Sequence, residues 1–200
     1  MLEKKLNLNL DWRVGCHLEL LSTFVKAESR YRTILCIYDS VVYGDEISKL
    51  TARFEHVTML AESIGGFEPS YEHLDVVSNK WRSHQESIDL IIAIGGGSTM
   101  DYAKGLAITL KNDGPAISFR GFPENLKTPL PVICVPTNAS SGSEAVFNAV
   151  FTSEKERKKL GINYRDNTPI FAIFDPKFVS IEVSQRQKNE AAAVLVRSLD

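Results

Sequence analysis

Cysteine is scarce in this chain, and what there is does not pair. Cys16, Cys36 and Cys134 are the only three in 200 residues, and none shares a metal-ligand spacing with another. That argues against a disulfide-stapled secreted scaffold and against a thiolate zinc site, and two of the three sit in apolar runs, as reduced core thiols of a cytoplasmic protein would. Histidine is equally thin. His17, His56, His73 and His84 are all there is, and His73 and His84, near one predicted helix, are not spaced i, i+4 on one face, so no metal-ligand set is expected among the four. Charge of one sign is missing too: 23 Lys and Arg against 25 Asp and Glu leave a net charge of −2, with no sign of a nucleic-acid or anionic-membrane partner. The one dense basic run, Lys155, Arg157, Lys158 and Lys159 around Glu156, reads as a solvated turn. Long hydrophobic runs are absent. The longest, near 88–94 and 130–135, are far too short to cross a bilayer, and the opening MLEKKLNLNLDW has no continuous apolar stretch of the signal-peptide kind. The expectation is a soluble, cytoplasmic protein.

What is present is a core. Hydrophobic residues make up 44% of the chain, enough for one large domain, with or without a short tail. Compact β-type runs alternate with helical stretches. Thr33–Tyr38 (TILCIY) reads as a buried strand ended by Asp39, and Glu46–Phe54 as a helix carrying Ile47, Leu50 and Phe54. His56–Leu60 is a second short strand. Gly65–Pro69 breaks the chain, and Pro69-Ser70 opens an amphipathic helix with Leu74, Val77 and Trp81 on one face. Ile88–Ile94 is the clearest strand, apolar on both faces as a central parallel strand must be. A helix over Thr99–Leu110 and strands at Pro131–Val135 and Ile170–Phe174 follow. This alternation predicts an α/β fold, a Rossmann-like parallel sheet with flanking helices, with ligands at the carboxyl ends of its strands. Gln185–Asp200 is rich in Ala, Val and Leu and carries no helix stop signal. It is expected to begin a second, helical domain, which gives a division into 1–180 and 181–200.

The chemistry concentrates in IIAIGGGSTMDYAKGLA. A buried strand runs into Gly95, Gly96, Gly97 and Ser98, then into a helix. Glycines let a backbone approach a pyrophosphate closely, and the helix N-terminus adds unpaired N–H groups and a favourable dipole. Ser98 is expected to cap the helix and bond a phosphate oxygen. A bulky residue at Gly97 is expected to block the phosphate and to force a backbone angle open only to glycine. Asp101 and Lys104 lie on the following turns, and GGGSxxDxAK is far more specific than glycines alone.

That segment resembles the glycine loop of the iron-containing alcohol dehydrogenases and their dehydroquinate-synthase-like relatives. VPTNASSGSEA (135–145) is similar to the same family's PTTxGTGSE signature, and Gly15, Asp39, Pro69, Lys159 in KKLGI and the FDP at 174–176 fall where the family carries like residues. The resemblance implies NAD or NADP as cofactor. Gly95, Gly96, Gly97 and Ser98 would hold the pyrophosphate, with Asp101 beside them. Thr137, Asn138, Ser141, Val150 and Lys159 would line the path from adenosine to nicotinamide, and Asp39 would face the adenosine ribose. Two departures stand out: Asn138 replaces the second threonine of the signature, and Glu68 precedes Pro69 where many relatives carry asparagine.

The same resemblance implies Fe²⁺ or Zn²⁺ in the full-length enzyme, held by an aspartate and histidines of a helical domain absent from this chain. Asp200 is the one candidate ligand here, later than the usual spacing, which falls near Ala193. No catalytic residue is assigned within the chain. The implied activity is oxidation of a small alcohol or reduction of an aldehyde or ketone, and the family setting is compatible with a homo-oligomer. Alternatives are a glycerol-dehydrogenase-like or dehydroquinate-synthase-like relative, or a non-catalytic nucleotide-binding domain.

Overall fold

In the computed structural model, residues 11–14, 19–28, 30–39, 54, 57–65, 68–138 and 141–174 are described. Six strands form one parallel sheet: β1 (Asp11–Val14), β2 (Thr33–Asp39), β3 (Thr58–Ile64), β4 (Leu90–Gly95), β5 (Val132–Pro136) and β8 (Phe171–Phe174), in the order β1-β8-β5-β4-β2-β3. Two further described strands, β6 (Asn148–Ser153) and β7 (Lys158–Asn163), pair as an antiparallel hairpin. Among the described residues, three α-helices flank the sheet: α1 (Glu19–Ala27), α2 (Tyr71–Trp81) and α3 (Gly97–Thr109).

The unbroken apolar runs of β2, β4 and β5 follow from burial on both faces. Side chains alternate across a strand, and the core divides accordingly. Leu35, Ile37, Ile91, Ala93, Val132 and Cys134 join α2, α3 and the hairpin in one cluster. Ile34, Cys36, Leu90, Ile92, Ile94, Ile133 and Val135 join Leu21 and Val25 of α1 in the other. Helix α2 starts where expected: the Ser70 hydroxyl accepts from the His73 N–H at 3.1 Å, and Leu74, Val77 and Trp81 form its buried face.

Some boundaries and elements differ from the sequence expectations. The second strand runs Thr58–Ile64 and not His56–Leu60; it is an edge strand among the described residues, and its apolar signal is diluted by the exposed Ser63 and by Glu62, a buried carboxylate that accepts from Lys80 Nζ and Trp81 Nε1. Strand β1 went unrecognised because DWRV pairs two apolar residues with two charges. The hairpin went unrecognised as well. Its turn, Glu154–Arg157, takes in Lys155 and Arg157 of the expected solvated turn, whereas Lys158 and Lys159 open β7; NAVFTS and KKLGIN are too mixed to read as strands alone. The expected helix Glu46–Phe54 lies almost wholly outside the described residues, as do 175–200, including Asp200.

From β2 the sheet extends outward to β3, and then returns to β4 on the other side of β2. The carboxyl ends of β2 and β4 therefore form the point where strand order reverses, the place where open α/β sheets bind ligands.

Candidate functional site

Three residues mark this edge. Gly95 ends β4 in register with Pro136 of β5, and Asp39, buried, ends β2 one step beyond the Tyr38–Ile94 pair. Gly96 is extended (φ −82°, ψ −171°) and serves as N-cap of α3. The helix thus begins at Gly97, two residues earlier than expected, and Ser98 sits inside its first turn, exposed. This corrects the expected role of Ser98 as cap: no side-chain cap bond is made, and no acidic residue lies in the first turn. The amide of Met100 donates to Gly96 O at 3.1 Å, so the N–H groups of Gly97, Ser98 and Thr99 precede the intrahelical ladder and point out of the helix end. A helix start with neither a capping side chain nor a carboxylate is well suited to an anion.

A side chain at any glycine of the triplet would meet a close neighbour. A Cβ on Gly95 would lie 2.7 Å from Thr99 Cβ, one on Gly96 2.8 Å from Asn138 Nδ2, and one on Gly97 2.8 Å from Ser141 Cβ. None of the three adopts a left-handed angle; the positive-φ glycines among the described residues are Gly114, Gly121 and Gly142. The expected glycine-only angle at Gly97 is therefore not found. Steric approach of the second loop accounts for the requirement.

That second loop lies along α3. The Thr137 N–H donates to Gly95 O at 3.1 Å, and Gly142 turns the chain in the left-handed region at φ 67°. Further along, Asp101 accepts from the Ser143 hydroxyl at 2.6 Å and from the Val150 N–H at 3.1 Å. The fully buried Lys104 donates to Ser143 Oγ at 2.6 Å and to Ser143 O at 3.0 Å. Lys159, on β7, forms an exposed ion pair with Glu68. Gly95, Gly96, Gly97, Thr137, Asn138 and Ser141 thus meet in one place, joined through Asp101 to Val150, while Lys159 is tied to the residue before Pro69. Sequence reasoning named Asp101 but gave Lys104 no role of its own, and a lysine in mid-helix carries no local sign that it is buried.

The described histidines are accounted for. His73 Nδ1 lies 2.5 Å from Tyr102 OH, and burial lowers its pKa, against the opposing charges of Glu62 and Glu154. His84 Nδ1 lies 3.0 Å from Ser83 Oγ. Among the described residues no group of three or more His, Cys, Asp or Glu could hold a metal ion, and no helix is long and apolar enough to cross a membrane.

The family model for iron-containing alcohol dehydrogenase matches residues 14–176. The chain belongs to that family. Alcohol dehydrogenase 4 of Schizosaccharomyces pombe is 26% identical over 163 residues, which is 82% of this chain and 38% of that protein. The NADH-dependent butanol dehydrogenase A of Clostridium acetobutylicum is 27% identical over 145 residues, 69% of this chain and 37% of its own length. The fold matches that of sulfoacetaldehyde reductase from Bifidobacterium kashiwanohense, solved in complex with NAD+, with a TM-score of 0.75 at 24% identity over 86% of this chain and 46% of that one. The chain therefore spans less than half the length of these relatives.

Proposed function

We propose that this chain is the cofactor-binding half of an NAD(P)-dependent, metal-dependent alcohol dehydrogenase that interconverts small alcohols with aldehydes or ketones. The observation that carries this reading is the meeting of the glycine loop and the 137–143 loop at the strand-order reversal between β2 and β4, beside an uncapped helix start. The N–H groups of Gly97, Ser98 and Thr99 would take the pyrophosphate, Asp39 the adenosine ribose, and Thr137, Asn138, Ser141, Val150 and Lys159 the approach to the nicotinamide. The bound NAD+ of the sulfoacetaldehyde reductase supports a dinucleotide here.

Among the described residues no group of side chains fits the metal. In this reading residues 1–180 form the dinucleotide domain, and 181–200, with Asp200, begin the helical metal-binding part. The chain by itself would bind cofactor without turnover. Calorimetric titration of the folded chain with NADH should give saturable binding, while alcohol oxidation with NAD+ or NADP+ and added Fe²⁺ or Zn²⁺ should give none. A folded chain that ignores both dinucleotides at millimolar concentration would overturn the binding claim, and robust metal-stimulated turnover would overturn the division of labour.

A further inference from the structure

Lys104 is wholly buried, yet its ammonium nitrogen is surrounded by five oxygens: Ser143 O at 3.0 Å, Ser143 Oγ at 2.6 Å, Val146 O at 3.3 Å, Asn148 O at 2.5 Å and Asp101 Oδ1 at 3.1 Å. An ammonium has only three hydrogens to donate, so the oxygens share them, much as ligands share a metal ion. Three of the five are backbone carbonyls from one stretch of chain, 143–148, which runs from a short 3₁₀ turn at Ser143–Ala145 to the first residue of β6. Carbonyl dipoles and a carboxylate crowded together without a cation would repel one another strongly in a buried setting.

We propose that Lys104 and Asp101 are positioning residues that shape the second loop and so hold Ser141 against the glycine loop. The chain of contacts is short. The Ser143 hydroxyl accepts from Lys104 and donates to Asp101. The Ser143 N–H donates to Ser141 Oγ at 3.2 Å across the left-handed Gly142. Ser141 in turn lies directly against Gly97. Fixing Ser143 therefore fixes Ser141 at the mouth of the phosphate site. Asp101, which family resemblance sets among the cofactor residues, is occupied by Ser143, Lys104 and the Val150 N–H, so its effect on cofactor binding is exerted through the loop. This inference rests on the dinucleotide reading above for its consequence, but its structural half does not.

The test uses Lys104→Met and Ser143→Ala in the same chain, with two readouts: NADH affinity by fluorescence titration, and amide hydrogen exchange without nucleotide. Lys104→Met should weaken NADH at least about tenfold and should speed exchange across 143–150 in the nucleotide-free chain, leaving β4 unchanged. Ser143→Ala, which keeps both charges, should move both readouts the same way by less, and the double variant should be no worse than Lys104→Met alone. Affinity lost with exchange at 143–150 unchanged would make Lys104 a direct cofactor contact and overturn the proposal, as would Lys104→Met binding within about twofold of the parent. If Lys104→Met does not fold, Ser143→Ala decides alone: faster exchange at 143–150 supports the clamp and unchanged exchange overturns it. A parent chain that fails to bind NADH overturns the dinucleotide reading, while the exchange comparison still decides the clamp.

Discussion

Gly97 lies against the side chain of Ser141, so closely that a methyl group on its α-carbon would come within 2.8 Å of Ser141 Cβ. The two residues belong to different loops, one following β4 and one following β5, and each limits what the other can be.

Substitution at Gly97 should therefore be felt first as a packing fault between loops. Overpacking of this kind costs about 1–3 kcal/mol, and Gly97→Ala should lower the melting temperature by roughly 2–4 °C per kcal/mol for a chain of this size. Adding Ser141→Gly should recover at least half of the loss, since it removes the atoms in conflict. Gly97→Val should also reduce NADH affinity at least about tenfold. A Gly97→Ala, Ser141→Gly double variant whose losses simply add would show that the two loops do not meet as described.

Asp39 ends β2 buried, one step beyond the Tyr38–Ile94 pair, and under the proposed function its carboxylate would accept hydrogen bonds from a ribose 2′-hydroxyl and repel a 2′-phosphate. NADH should bind more tightly than NADPH, and Asp39→Ser should narrow the difference chiefly by improving NADPH. Parallel titrations giving the reverse order in the parent would mean that Asp39 does not face the ribose.

Gly105, in the middle of α3, sets two effects against each other. Alanine would improve helix propensity by about 1 kcal/mol, but its Cβ would meet Phe151 Cζ at 2.6 Å and Leu74 Cδ2 at 2.8 Å. Both are side-chain ends that can yield partly, and the packing cost of about 1–3 kcal/mol should still win. Chemical denaturation should find Gly105→Ala less stable than the parent. A stabilised variant would mean that α2 and the hairpin pack against α3 more loosely than described.

The Cys36 and Cys134 thiols are fully buried, and burial pushes both from an ordinary 9.0 up to about 12. A raised folded-state value favours the protonated thiol in the native state. The contribution to stability is complete below the unfolded value of 9.0 and is lost as pH rises from there towards the folded value of about 12. In a Cys16→Ser background, a thiol reagent at pH 8 should label neither cysteine until denaturant is added, and denaturant midpoints should fall above pH 9. Rapid labelling of two thiols in the native chain would contradict the buried placement.

Much of this protein was legible in local patterns. Apolar runs bounded by turn residues located β2, β4, β5 and β8, because a strand buried on both faces carries its environment in its own composition. Ser70 and the period of Leu74, Val77 and Trp81 located α2. The glycine triplet and the PTNASSGSE segment marked the loops of the site, since small residues there answer a steric demand that holds wherever those loops meet.

What the sequence by itself determined was thus the parallel α/β architecture, the family, and which loops carry the candidate site. Only the tertiary structure decided how the loops are held. The β6–β7 hairpin depends on register and on packing against α2 and α3, and not on a strong strand signal of its own. Lys104 looks like any solvated helix lysine until Ser143, Val146 and Asn148, some forty positions along the chain, bring their oxygens to it. The reason is physical: burial of an apolar run is dictated by the run, whereas satisfaction of a buried charge depends on partners that only the folded chain brings within reach.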